Sequence, residues 1–99
     1  MKVKEVISEI NNKDYYSINA AVKAVELSKA NCVVENYNFS KHRNFDITTN
    51  IYKCDDGFVA ITGLINDRSK IGYDEYNIPA FAEEYIEIPT VTYAPKYRR

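Results

Sequence analysis

The sequence predicts an α+β fold, two N-terminal helices packed on one face of a mostly antiparallel sheet of about four strands. Three observations carry this. Two apolar stripes of helical spacing lie before residue 31. Phe45, Ile47, Thr49 and Ile51 then alternate with Asp46, Thr48, Asn50 and Tyr52, the period of a strand with one face in a core. Across Asp55-Asp56-Gly57 a second strand-type run follows, Phe58 to Ile65, and two such runs joined by a short Asp/Gly segment read as a hairpin.

The first stripe is Val3, Val6, Ile7 and Ile10, spaced i, i+3, i+4 and i+7, and it predicts a short helix ending near Asn11-Asn12. So short a helix is marginal alone and must pack on the sheet. Lys13 to Tyr16 is a connector. Ser17 is a suitable N-cap for a second helix running to about Ala30, with Ile18, Ala21, Val22 and Val25 inward, Lys23, Glu26 and Lys29 outward, and Asn31 as its stop. Cys32 to Phe39 reads as the first strand, and Ser40 to Asn44 as a basic loop.

The run Phe58 to Ile65 is apolar on both sides apart from Thr62 and Gly63, so its register must come from the turn. A two-residue Asp56-Gly57 loop would pair Ile51 with Thr62 and scatter the large side chains. A three-residue Asp55-Asp56-Gly57 loop, with Gly57 left-handed and a bulge, pairs Ile51 with Ile61 and Lys53 with Val59. It gathers Phe45, Ile47, Ile51, Val59, Ile61 and Ile65 on one face and is the register expected here. The opposite face would carry Tyr52, Cys54, Phe58, Ala60 and Leu64, too apolar to be wholly wet, so another element or a partner covers part of it.

Residues 66–72 read as a polar turn. Asn77-Ile78-Pro79 predicts one or two helical turns through Glu84, because proline fits a first turn. Tyr85 to Tyr93 returns to strand character, and Pro89, which cannot donate to a ladder, assigns that strand to an edge. The chain divides as a single domain over 1–99: a helical pair over 1–31, a three-strand meander over 32–66, and a short helical turn and edge strand with a basic tail over 67–99.

Composition narrows the function. Ninety-nine residues, 45% apolar and 27% charged, make one globular domain. Cys32 and Cys54 form no CxxC pair and the chain has a single histidine, so reduced thiols are expected, with no metal and no cofactor. Lys2, Lys4, Glu5 and Glu9 interrupt any signal-type apolar run, and nothing is long enough to span a bilayer. A cytoplasmic protein without a membrane role is expected.

The charge of -1 hides an asymmetry. Residues 1–70 carry ten basic and nine acidic groups, whereas 71–95 carry five acids and no base. In that stretch Tyr73, Asp74, Glu75, Tyr76, Glu83, Glu84, Tyr85 and Glu87 combine carboxylates with tyrosines, which suits steering towards, and contact with, a protein partner of basic surface. Homo-oligomerisation through the edge strand is a related expectation. The alternative is a nucleic-acid or small-ligand binding module in which Lys41, His42 and Arg43 meet phosphates and Tyr52 and Phe58 form a stacking face. The slightly acidic balance disfavours nucleic acid. A Cys54/His42 dyad has no further catalytic signature around it, and Asp55-Asp56 are accounted for as turn residues. No catalytic residue is assigned, and the chain is read as a non-enzyme.

Glu9-Ile10-Asn11-Asn12-Lys13-Asp14-Tyr15, closing an amphipathic first helix, resembles the start of one of the small phage-borne anti-CRISPR proteins that inhibit an RNA-guided nuclease. The likeness covers about ten residues and stops after Tyr15. It implies a short single-domain inhibitor with an acidic surface that occupies a basic nucleic-acid channel. The near-neutral net charge departs from whole-molecule DNA mimicry and leaves the local acidic segment to do this.

Overall fold

The computed structural model describes residues 2–41, 46–65, 78–88 and 92–96. The element order is α1 (Val3–Asn12), α2 (Ile18–Ala24), a single 3-10 turn (Lys29–Asn31), β1 (Cys32–Lys41), β2 (Asp46–Cys54), β3 (Gly57–Leu64), β4 (Phe81–Ile88) and β5 (Thr92–Pro95). All neighbouring strands are antiparallel, in the order β1-β2-β3-β4-β5. The expected class, two N-terminal helices on one face of an antiparallel sheet, is the observed one.

Both helices form where their stripes place them. Val3, Val6 and Ile10 are buried on α1, and Ile18, Ala21 and Val25 are buried at α2 and its C-cap. They meet Tyr52, Cys54, Val59, Ile61, Ala80 and Ala82 in the main core. The Ser17 hydroxyl accepts from Ala20 N–H at 3.1 Å, the expected cap. Helix α1 takes its cap from a distance: the Asp56 carboxylate accepts from Val3 N–H at 2.9 Å, placing negative charge at the positive end of the helix dipole.

Helix α2 stops at Ala24, not near Ala30. Leu27 N–H donates to Val22 O and Glu26 N–H to Lys23 O, both at 3.1 Å, with Glu26 at φ 59°. This is a Schellman ending with Glu26 in the place glycine usually takes. It was hidden because glutamate advertises helix, not a left-handed stop.

The hairpin register differs from that of either predicted turn. Cys54 pairs Gly57, Lys53 pairs Phe58, Ile51 pairs Ala60 and Ile47 pairs Leu64, so the loop is Asp55-Asp56 alone and Gly57 is a strand residue outside the left-handed region. The single-step slip from the expected pairing moves one strand's side chains to the other face. Val59 and Ile61 therefore lie under the helices beside Tyr52 and Cys54, while Ile47 and Ile51 face away with Ala60 and Leu64. The physical reason is Asp56: at the tip of a two-residue turn its carboxylate reaches the start of α1.

The second face forms its own core. Ile51, Ala60 and Tyr85 are buried there with Val34, Tyr37, Phe58 and Tyr93 packed around them. The Tyr37 hydroxyl of β1 donates to the Tyr93 carbonyl of β5 at 2.5 Å, so the two outermost strands are drawn towards each other and the sheet curls over its helix-free side. An apolar-on-both-sides β3 is the consequence of two cores.

Residues 78–84 are not helical. Ile78 to Ala80 is extended, and β4 runs from Phe81 to Ile88 between β3 and β5. Tyr85 to Tyr93 is accordingly not one edge strand. It contributes to β4 and β5, with Pro95 in the edge position opposite Tyr85. The Asn11 carboxamide explains part of this: its Nδ2 donates to Ala82 O at 3.0 Å and its Oδ1 accepts from Ala82 N–H at 2.8 Å. Since Glu84 O accepts from Lys96 N–H, Asn11 takes the next ladder position, one side chain standing in for a strand residue. Ala80 N–H also donates to Tyr15 O at 2.6 Å. The predicted turn over 66–72 and Pro89 lie outside the described residues.

Candidate functional site

Alternation along β4 divides the acidic segment. Phe81, Glu83, Tyr85 and Glu87 belong to the helix-free face, as their pairing with Thr62, Ala60, Phe58 and Tyr93 requires. Ala82, Glu84 and Ile86 belong to the helix side. Glu83 and Glu87 are exposed, and neither has an ion pair among the described residues. Glu84 is turned the other way and meets Lys96 Nζ at 3.4 Å. Tyr85 is only 7% exposed and belongs to the core.

The expected partner-contact set is therefore not one surface. Glu83 and Glu87 share a face, Glu84 lies on the other, and Tyr85 supports from beneath. Tyr73, Asp74, Glu75 and Tyr76 lie outside the described residues. The face contributes aromatics beyond the expected partner-contact residues. Phe81 is 50% exposed, Phe58 stacks edge-on against Tyr93 with centroids 5.3 Å apart, and Tyr37 meets Tyr85 at 5.7 Å. Parity along β4 is the signal that could have found Phe81, had the segment been read as strand. Lys53 Nζ sits 5.2 Å over the Phe58 ring, a cation–π contact at the margin. Beyond the aromatic cluster the same face opens into a shallow concavity of about 230 Å³, lined by Asn38, Phe39, Ser40, Ile47, Thr49 and Thr62.

The alternative stacking face is divided too. Tyr52 is 5% exposed under the helices, while Phe58 is on the other side. No shared Tyr52/Phe58 platform exists because adjacent pairs, Tyr52–Val59 and Lys53–Phe58, point to opposite faces. Lys41 is exposed at the end of β1. His42 and Arg43 lie outside the described residues.

Burial pushes the Cys54 thiol up; the N-terminal amine opposes this, and the carboxylates of Asp56 and Asp55 add smaller upward effects. Burial likewise raises Cys32, helped by Glu35. Thiols raised in this way are weak nucleophiles at neutral pH. Among the described residues no group of three or more His, Cys, Asp or Glu side chains could hold a metal ion, and no helix is long and apolar enough to cross a membrane.

The segment that carries the anti-CRISPR resemblance has internal work. The Tyr15 hydroxyl donates to Glu9 Oε2 at 2.5 Å and Lys13 Nζ lies 3.0 Å from the same oxygen. The Tyr15 hydrogen bond, then Lys13, hold the Glu9 carboxyl below its ordinary range, and Glu9 raises Tyr15 in turn. With Asn11 on Ala82 and the Tyr15 carbonyl on Ala80, the stretch fastens α1 to the entry of β4. No protein-family model, curated protein or solved structure matches the chain.

Proposed function

We propose that this protein is a small non-enzymatic interaction protein, of the kind phages and mobile elements use to inhibit a host defence protein, and that it engages a basic surface on its partner through the helix-free face of the sheet. One observation carries the reading: Glu83 and Glu87 stand exposed on the same side of β4 as half-exposed Phe81, beside Phe58 and Tyr93. Carboxylates without cations among the described residues give direction and rate to an encounter with a cationic surface. Rigid aromatics anchored in a core give contact area at low entropic cost. The face is preorganised because Tyr85, Ile51 and Ala60 beneath it are buried.

The test is parallel affinity capture from the native host with wild type and Glu83→Lys/Glu87→Lys as baits. Both substitutions are at exposed strand positions, so the variant should keep its thermal midpoint. A protein retained by wild type and lost by the reversed bait, with capture weakening as salt rises, supports the reading. An identical retained set from both baits removes the acidic face from it.

A further inference from the structure

Helix α1 packs mainly across β3 and β4 and α2 mainly on β3, while on β2 the helices meet Tyr52 and Cys54 and the 3-10 turn packs alongside. The helix side of β1 and β2 is left partly uncovered, and there a recess of about 280 Å³ opens between α2, the 3-10 turn and the two strands. It lies just below the ~300–1,000 Å³ of drug-sized sites, so its occupant is metabolite-sized.

The recess is lined by groups with unused capacity. At its floor the Tyr52 hydroxyl accepts from Asn50 Nδ2 at 3.3 Å, while its own O–H has no acceptor among the described residues although the residue is 95% buried. Asn50 is fixed by accepting Asn36 N–H at 2.9 Å, with Asn36 in the left-handed conformation at φ 53°. On the α2 wall Asn19 presents a carboxamide without a partner among the described residues, next to Val22 and Leu27. Lys29 and Glu35 lie at the opening, both exposed, and they form no ion pair with each other or with any described residue.

We infer that this recess is a binding site for a free α-amino acid with an aliphatic side chain. The ligand carboxylate meets Lys29 and the Tyr52 O–H, its ammonium meets Glu35, and its side chain lies on Val22 and Leu27. A zwitterion is the ligand class that uses a separated cation and anion together, and the apolar wall selects aliphatic over charged side chains. The site is on the opposite side of the sheet from Glu83 and Glu87, so it stands or falls independently of the proposed partner surface.

The experiment is a ¹H–¹⁵N NMR titration of the intact protein with L-leucine, with 4-methylpentanoate and 3-methylbutylamine as probes lacking one charge each. Saturable millimolar shifts confined to α2, residues 28–35 and Asn50–Tyr52 are expected, with each single-charge probe at least about tenfold weaker. Tyr52→Phe, which keeps the ring in the core, and Lys29→Gln, at an exposed position, should each weaken leucine binding by about fivefold or more while leaving the remaining spectrum folded. Absence of saturable shifts into the tens of millimolar overturns the inference. So does equal binding of the single-charge probes, or leucine binding indifferent to both substitutions.

Discussion

Replacing Asn11 tests whether one side chain completes the β4 ladder. Two bonds, at 3.0 and 2.8 Å, join its carboxamide to Ala82. At roughly 1 kcal/mol net each, Asn11→Ala forfeits about 2 kcal/mol, and the better helix propensity of alanine returns roughly 0.5. A net loss of about 1.5 kcal/mol corresponds to a fall of ~6–12 °C in thermal midpoint for a domain of this size. Asn11→Asp sharpens the test. An ionised carboxylate still accepts from Ala82 N–H but faces the Ala82 carbonyl with no proton to donate, whereas the protonated acid restores both bonds. Its folded-state pKa is therefore raised above the ordinary ~3.9. The stability recovered is fully present below the unfolded pKa and is lost as pH rises through the folded one. Calorimetry of wild type and both variants from acid to neutral pH reads this directly. An Asn11→Ala midpoint within about 2 °C of wild type, or an Asn11→Asp deficit that does not shrink in acid, refutes the ladder role.

Other outcomes follow from the same contacts. Asp56→Ala should cost about 1 kcal/mol in urea unfolding by removing the cap on Val3, and Asp56→Asn should recover most of it. Glu26→Gly should raise stability by about 0.5–1 kcal/mol, since glycine takes the left-handed Schellman position without the Cβ clash. Gly63→Ala should destabilise by roughly 1–3 kcal/mol, because its Cβ would stand 3.0 Å from the Ile18 backbone nitrogen and from Ala80 Cβ. The native Cys54 thiol, buried and raised, should react with a disulfide reagent about 100-fold or more slower than in denaturant.

Much of the architecture was legible because it rests on local periodicity. The stripes of α1 and α2, the Ser17 cap and the alternation of β2 need no knowledge of distant residues. What was illegible depends on contacts far apart in sequence. The Asp55-Asp56 turn is chosen by Val3, and the strand character of Phe81 to Glu84 by Asn11 and by β3, against the helix preference of Ala82, Glu83 and Glu84. The one-residue slip in the hairpin followed from the first, and the division of Glu83 from Glu84 from the second. The recess was invisible for the same reason. Asn19, Lys29, Glu35 and Tyr52 carry no shared spacing and meet only because α2 ends early and β1 bulges around Asn36.

The central claim is that the partner docks on the helix-free face. Hydrogen exchange of the protein, free and bound to the partner that its wild-type form captures, tests this most directly. New protection concentrated in β4 around Phe81 to Glu87 and in the β3 and β5 segments around Phe58 and Tyr93, with α1 and α2 unchanged, is the predicted footprint. Protection confined to α1, α2 and the 3-10 turn, with β4 exchanging as in the free protein, contradicts it.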